Sequence, residues 1–193
     1  MKLIRRTDIA RVARLLAESL ADDPFYRWLV PPDPDRVSVL ARRFEAAVET
    51  TVERGWAFAS SSGQSVLLIE EFEVPVAVSG TVPDAATATG VEPISTVAEA
   101  GRLLRATHPR ERHTYLDMLA TSPQAQGRGE GTALVTALIA GVDRDPRPIH
   151  LHSSNQRNLP FYLRRGFVAE PAVRIPGSAV TAVPMTRPKN SPA

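Results

Sequence analysis

The sequence predicts one α/β domain, in which helical and extended patterns alternate along the chain. Three observations predict it. The chain has 193 residues, enough for one domain with a substantial core and too few for two ordinary ones. Hydrophobic residues make up 43% and charged residues 23%, the balance of a globular protein rather than a disordered or fibrous one. No internal repeat or linker interrupts the alternation, so residues 1–187 are read as the domain and 188–193, rich in Pro, Ser and Asn, as a loose tail.

Thr7 or Asp8 can cap a first helix whose apolar residues Ile9, Val12, Leu16 and Leu20 keep a helical period. It stops at Asp22-Asp23-Pro24. The run D-P-D-R from Asp33 reads as a second helix start, with Pro34 at the first helical position. Val37, Leu40, Phe44 and Val48 then mark one apolar face. After Gly55 the pattern turns extended, over 56–60, 65–70 and 74–79, and residues 61–63 suit a hairpin turn between the first two. An Ala/Thr-rich stretch from Pro83 leads to a helix carrying Val97, Leu103 and Leu104 that ends near His108.

A strand at 113–121 comes next, followed by a glycine-rich turn. The helix after it buries Leu134, Val135, Leu138 and Ile139 and ends at Gly141. Residues 149–153 read as a short strand, 159–165 as a short helix, and 167–173 and 179–185 as closing strands.

Composition removes several function classes. The chain has no cysteine, which excludes disulfides, thiolate nucleophiles and cysteine-ligated metals. Its net charge of +2 comes with no basic block, so nucleic acid is not an expected partner. Lys2 and Lys189 are the only lysines among the basic residues, which reads as the codon bias of a GC-rich bacterial genome. The longest apolar stretch, 133–142, is interrupted by Thr136 and is far short of a membrane span. The start M-K-L-I-R-R-T-D lacks the apolar core of a secretory signal, so a cytoplasmic protein is expected, with no membrane partner.

The segment L-A-T-S-P-Q-A-Q-G-R-G-E-G-T-A-L runs strand, turn, helix. Gly127, Gly129 and Gly131 remove side chains, so the backbone can approach a ligand closely and take positive φ where needed. The helix beginning near Gly129 leaves its first N–H groups without internal partners, and its positive dipole end suits a diphosphate. Arg128 adds charge there. A P-loop would need Lys-Ser or Lys-Thr after its last glycine, where Glu130-Gly131-Thr132 stands instead. A dinucleotide fingerprint would need G-x-G-x-x-G near a first strand. Both fail on spacing, and a glycine-rich helix start without ligand stays open at this point.

The run Gln126-Gly127-Arg128-Gly129-Glu130-Gly131 fits the pattern Q/R-x-x-G-x-G/A and follows the Pro-containing turn Ser122-Pro123. Downstream, S-N-Q-R-N-L-P-F-Y-L-R-R-G-F over 154–167 is similar to N-x-x-A-x-x-x-Y-x-x-x-G-F, with Asn155, Tyr162, Gly166 and Phe167 in register and Asn158 in place of Ala. In these two motifs the chain resembles the GNAT superfamily of N-acetyltransferases, over its whole length. Within that superfamily the R-N-L-P-F-Y run and the terminal P-M-T-R-P resemble the puromycin N-acetyltransferase group of actinomycetes.

The resemblance implies a mixed, strongly twisted sheet of about six to seven strands flanked by helices, with central strands splayed where the pantetheine of acetyl-CoA inserts. It implies that main-chain groups of Leu119, Ala120 and Thr121 bind the pantetheine like an added strand. The amides of Gln126, Gly127, Arg128, Gly129, Glu130, Gly131 and Thr132 would hold the diphosphate. Asn155 or Asn158 would meet pantetheine amides, and Tyr162 would sit near the sulfur. Glu130, where the family has an apolar residue, brings a negative charge whose cost depends on where it points.

Direct acetyl transfer needs a neutral amine, donors for the oxyanion and a proton for the leaving thiolate. Tyr162 is the candidate acid, and an amide near Ala120 or Thr121 the candidate oxyanion donor. Tyr115 and Asp117 alternate along one strand and can share a face, making them candidates for the base. Asp117 could equally clamp a cationic acceptor or be a surface carboxylate. His150 and His152 share a strand face, with His113 nearby in the sheet; with no third ligand obvious and none required by the resemblance, no metal is expected, and His152 stays a secondary candidate for the base.

Asp23, Phe25, Tyr26 and Trp28, beside Asp22, combine carboxylates with aromatics in a mixture suited to an amine with a ring system, or to an aromatic cluster anchoring a loop. The expected function is acetyl transfer from acetyl-CoA to a primary amine of a small molecule, by a monomer or homodimer. A protein acetyltransferase and a silent acetyl-CoA sensor are the alternatives.

Overall fold

The computed structural model describes residues 1–30, 34–73 and 94–189. In chain order the elements are β1 (Lys2–Leu3), α1 (Ile9–Leu20), α2 (Pro24–Leu29), α3 (Arg36–Glu53), β2 (Ala57–Ala59), β3 (Ser65–Phe72) and α4 (Ile94–Arg105). They continue with β4 (His113–Thr121), α5 (Glu130–Val142), β5 (Ile149–Ser153), α6 (Leu159–Leu163), β6 (Val168–Ala169), β7 (Val173–Arg174) and β8 (Thr181–Arg187). Short 3-10 turns lie at Arg6–Asp8, Pro123–Ala125 and Gln156–Asn158.

The strands form an eight-stranded mixed sheet in the order β1-β2-β3-β4-β5-β8-β6, with β7 on β8. β4 and β5 are parallel through the pairs Thr114↔Ile149 and Tyr115↔His150, and α5 lies in the crossover that parallel neighbours require. The pairs β1–β2, β2–β3, β5–β8, β6–β8 and β7–β8 are antiparallel. The mixed α/β class is as expected, with differences in the elements.

The two-residue β1 is an addition, pairing Lys2 with Ala59. The strand expected over 167–173 is two pieces, β6 and β7. The strand expected at 74–79, the Ala/Thr-rich stretch up to residue 93 and residues 190–193 of the tail lie outside the described residues, as does Asp33. Helix α3 begins two residues later than Pro34, after Asp35 as its N-cap. The Asp-Pro pair that does open a helix is Asp23-Pro24: the Asp23 carboxylate accepts from the Phe25 N–H at 2.9 Å, and Pro24 occupies the first turn of α2.

The chain divides into two compact units. The first comprises Met1–Asp22, Pro32–Glu70 and Leu116–Arg144. Its core joins Val12, Ala13, Leu16 and Ala17 of α1 to Leu40, Phe44 and Val48 of α3, three residues four apart on one face. Val66, Leu67 and Leu68 of β3 and Leu134, Val135 and Leu138 of α5 complete it.

The second unit comprises Asp23–Pro31, Glu71–Tyr115 and Asp145–Ala193. Ile149, Leu151 and Met185 are its buried sheet residues, and Ala100, Ile175 and Ala182 form a cluster against which Phe25, Trp28, Leu104 and Val180 pack. A partly buried ion pair ties this unit. Arg147 donates from Nε and Nη2 to the two Glu71 oxygens, each at 2.9 Å, with both side chains 15% exposed. The Thr114 hydroxyl donates to the same carboxylate at 2.9 Å and accepts from Arg147 Nε at 2.8 Å.

Candidate active site

The glycine turn of the first unit is built as its composition requires. Gly127 and Gly129 have φ of 77° and 81°, the left-handed region, and Gly129 is the N-cap of α5. The first bond of the helix runs from Ala133 N–H to Gly129 O at 2.9 Å, so the amides of Glu130, Gly131 and Thr132 precede it as N-terminal donors. A Cβ at Gly131 would lie 3.2 Å from Thr121 Oγ1, so this glycine lets the helix start sit close to the end of β4. Arg128 and Gln126 are exposed, and Gln126 Nε2 donates to Thr121 O at 3.3 Å.

Glu130 has a defined engagement. Its Oε2 accepts from the Ser60 and Ser62 hydroxyls, each at 2.6 Å, in the turn between β2 and β3. These two hydrogen bonds, the Ser60 bond first, hold its carboxyl below the ordinary value.

On β4, Leu119 is half-buried and Ala120 buried. The Thr121 hydroxyl lies 2.7 Å from Ser65 Oγ, and its carbonyl also accepts from Ser19 Oγ at 3.1 Å. Asp117 is half-buried, and burial, reinforced by the Glu70 charge, pushes its carboxyl up to about 7. A carboxyl at that value changes charge near neutral pH, where a general base is most effective.

In the second unit the Tyr162 ring is buried, edge-on to Phe161 and Phe167 at 5.0 and 5.5 Å. The spacing Tyr-x-x-x-Gly-Phe has a local cause. Gly166 takes φ 79° after α6, which lets Phe167 N–H reach Tyr162 O at 3.3 Å while its ring enters the core. Burial raises the Tyr162 phenol above its usual value, so it stays protonated, the form an acid needs. Asn155 caps the turn after β5, its Oδ1 accepting from Arg157 N–H at 3.1 Å, and Asn158 is exposed with no side-chain cap bond.

Asp23 accepts the Ser154 hydroxyl at 2.5 Å in addition to its helix-capping bond. Burial raises its carboxyl, against the pull of Ser154 and the Phe25 and Tyr26 amides. Phe25 stacks tilted on Trp28 at 5.4 Å and edge-on to Tyr26 at 5.5 Å, and Phe25 and Trp28 pack on the core cluster. This segment therefore anchors its unit, whatever else it does.

The histidines form a polar cluster in the second unit. Tyr115 OH lies 3.0 Å from His152 Nδ1, Thr107 Oγ1 2.8 Å from His152 Nε2, and His150 Nε2 3.3 Å from His152 Nε2. His108, in the loop after α4, lies 3.0 Å from His113. Burial lowers His108 to about 3, His150 to about 2 and His152 to about 4, helped at His108 and His150 by the neighbouring imidazoles. All three rings are neutral at physiological pH. The sequence alone offers His150 and His152 no third partner; His108 is that partner. Thr107 escapes sequence reasoning with it, and the one signal available is that a chain with so few histidines carries two of them at i, i+2.

The sequence model of the family described as "Acetyltransferase (GNAT) domain" matches residues 94–188, which include both motifs. Among solved structures, the chain is similar to an acetyltransferase from Corynebacterium glutamicum described as "histone acetyltransferase HPA2 and related acetyltransferase". The identity is 25%, over 100% of this chain and 97% of that one, with a TM-score of 0.67. Arylalkylamine N-acetyltransferase 2 from Aedes aegypti shares the fold at 11% identity and TM-score 0.68, with 96% of each chain covered. A polyamine N-acetyltransferase from Drosophila melanogaster does so at 15% identity and TM-score 0.61, covering 96% of this chain and 97% of that one. No helix among the described residues is long and apolar enough to cross a membrane. Residues 94–188, with the glycine turn and the Tyr162–Gly166–Phe167 helix end inside them, match the GNAT acetyltransferase domain, and that match supports an acyl-CoA-dependent N-acetyltransferase.

Proposed function

We propose that this protein moves an acetyl group from acetyl-CoA to the primary amine of a small molecule by direct transfer. The observation that carries the cofactor reading is the glycine turn. Two left-handed glycines precede the N-terminal donors of α5, and the third, Gly131, stands where a side chain would crowd Thr121. Acetyl-CoA, when bound, supplies the thioester. The amides of residues 126–132 would hold its diphosphate, and the main chain of Leu119, Ala120 and Thr121 its pantetheine, with Asn155 or Asn158 as side-chain partners.

Asp117 is the proposed base, because its raised carboxyl can take a proton from an ammonium near neutral pH. Tyr115, through His152, is the other candidate. Tyr162 is the proposed acid. Its buried phenol can protonate a thiolate only if that thiolate is desolvated too, which brings the two proton affinities together. The α2 segment with Asp23, Phe25, Tyr26 and Trp28 is proposed to shape the acceptor pocket from a backbone fixed by its own packing.

The small-amine reading is supported by the arylalkylamine and polyamine enzymes that share the fold, and the narrower likeness to puromycin N-acetyltransferases adds puromycin as an acceptor to test. A protein acceptor is the second reading, favoured by the description of the Corynebacterium protein. Calorimetry with acetyl-CoA, followed by free-thiol release across puromycin, arylalkylamines, polyamines, aminoglycosides and lysine peptides, tests both. Binding with thiol release on one amine class supports the proposal; absence of acetyl-CoA binding overturns it. Tyr162→Phe should keep acetyl-CoA affinity and lower turnover at least about tenfold, and unchanged turnover removes Tyr162 as the acid.

A further inference from the structure

All four histidines of this chain meet in one cluster, and no cysteine competes with them for a metal ion. Hydrogen bonds assign their ring nitrogens, because a carbonyl or carboxylate oxygen only accepts and a hydroxyl has one proton. His113 Nδ1 lies 2.7 Å from the Glu111 carbonyl and must donate, so its Nε2 accepts from His108 Nδ1–H at 3.0 Å. That leaves His108 Nε2 unprotonated. The Thr186 hydroxyl donates to Glu170 Oε1 at 2.7 Å, so its oxygen accepts from His150 Nδ1–H at 2.9 Å. His150 Nε2 is therefore unprotonated too, 3.3 Å from His152 Nε2.

One nitrogen from each of His108, His150 and His152 lies within 4.8 Å of the other two. We propose that these three imidazoles form a binding site for a late first-row divalent cation, zinc first among them. The spacing suits such an ion. Nitrogens at the usual Zn–N distance of about 2.0–2.1 Å stand roughly 3.3 Å apart around a tetrahedral zinc. The His150–His152 pair is already there. An all-imidazole set favours zinc, copper, nickel or cobalt over magnesium or calcium.

Each ligand also has the outer partner that metal-bound histidines need. His108 is held by His113, His150 by Thr186 and Glu170, and His152 by Tyr115. His152 ligates through Nε2 once its proton sits on Nδ1 and is donated to the Tyr115 oxygen, a tautomer change that leaves the ring neutral. Three imidazoles leave the fourth place to an oxygen, and the Thr107 hydroxyl already touches His152 Nε2 at 2.8 Å. An ion here would pin the loop carrying Thr107 and His108 to β5 within one compact unit.

The test uses full-length protein without a histidine tag, since no histidine or cysteine outside this cluster exists to bind the probe. Titration with cobalt(II) should give one equivalent with the intense visible bands of tetrahedral coordination, and zinc(II) should displace it. Zinc should also raise the melting temperature, and a chelator should reverse the rise. His108→Gln, at a half-buried loop position, should abolish the bands while leaving the circular dichroism unchanged. His113→Gln, which removes only an outer partner, should weaken cobalt about tenfold or more. Absence of the cobalt bands in the wild type, or bands that survive His108→Gln, overturns the site. In that case the cluster is only a hydrogen-bonded chain from Tyr115 to Glu170.

Discussion

Replacing Asp117 by Asn separates the energetic cost of this residue from its chemistry. Burial and the Glu70 charge raise its carboxyl from 3.8 to about 7, so the folded state holds a proton that the unfolded chain gives up. Below about pH 4 the group is neutral in both states and costs nothing. Between about pH 4 and 7 stability falls as pH rises, and above about pH 7 the full cost is present. At about 1.4 kcal/mol per pH unit the ceiling is about 4 kcal/mol. Because the side chain is half-buried, solvent screens part of this, and about 1–3 kcal/mol is the working figure.

An asparagine side chain has the same shape as the aspartate and no charge at any pH. Urea unfolding at about pH 5, 6.5 and 8 should therefore show Asp117→Asn gaining on the wild type as pH rises, with most of the gap at the alkaline end. The same variant should lose about a hundredfold in kcat/KM if Asp117 is the base, together with the acid limb of its pH profile. Equal stabilities at pH 8, or a gap that ignores pH, refute the energetic argument. Unchanged activity leaves that argument standing and moves the base to Tyr115 and His152.

Other perturbations read other parts. Glu71→Gln leaves the Arg147 guanidinium half-neutralised at a site 15% exposed, and should cost about 2–3 kcal/mol by thermal unfolding, somewhat below a fully buried pair. Gly129→Ala meets no atom within 4 Å of the new Cβ, so its cost is backbone alone, about 1 kcal/mol of stability for a left-handed alanine. A loss well above that would mean that contacts matter there. Glu130→Gln removes a charge at the head of α5 and should tighten acetyl-CoA severalfold in dilute buffer, with the gain disappearing at high salt in calorimetry.

Strong periodic elements are legible in the sequence. β4 and β5 fall on the expected residues, and α5 overruns Gly141 by one residue. The glycine turn is legible because few backbone geometries demand glycines at alternate positions. What escapes is set by distance or by competing signals. Asp23-Pro24 and Asp33-Pro34 carry the same cap signature, and Pro24 reads as a stop because α1 has just ended. β1 is too short for any period to show. The aromatics of α2 read as a pocket, and a sequence holds nothing to say that Phe25 and Trp28 face Ile175 and Ala182, some 150 positions away. His108 sits in a loop, where no period marks a face, and only folding brings it to His150.

The tie between Glu71, Thr114 and Arg147 also bears on the lifetime of the fold. Glu71 and Arg147 are 76 residues apart in sequence, and Thr114 and Arg147 are 33 apart. Closing loops of that length costs entropy that local contacts do not repay, and we predict that the tie forms late, so that Glu71→Gln speeds unfolding with little change in the folding rate. An interaction made on that side of the barrier slows escape without hastening arrival. It therefore works as a latch, most useful where a protein must survive long exposure to proteases rather than refold quickly.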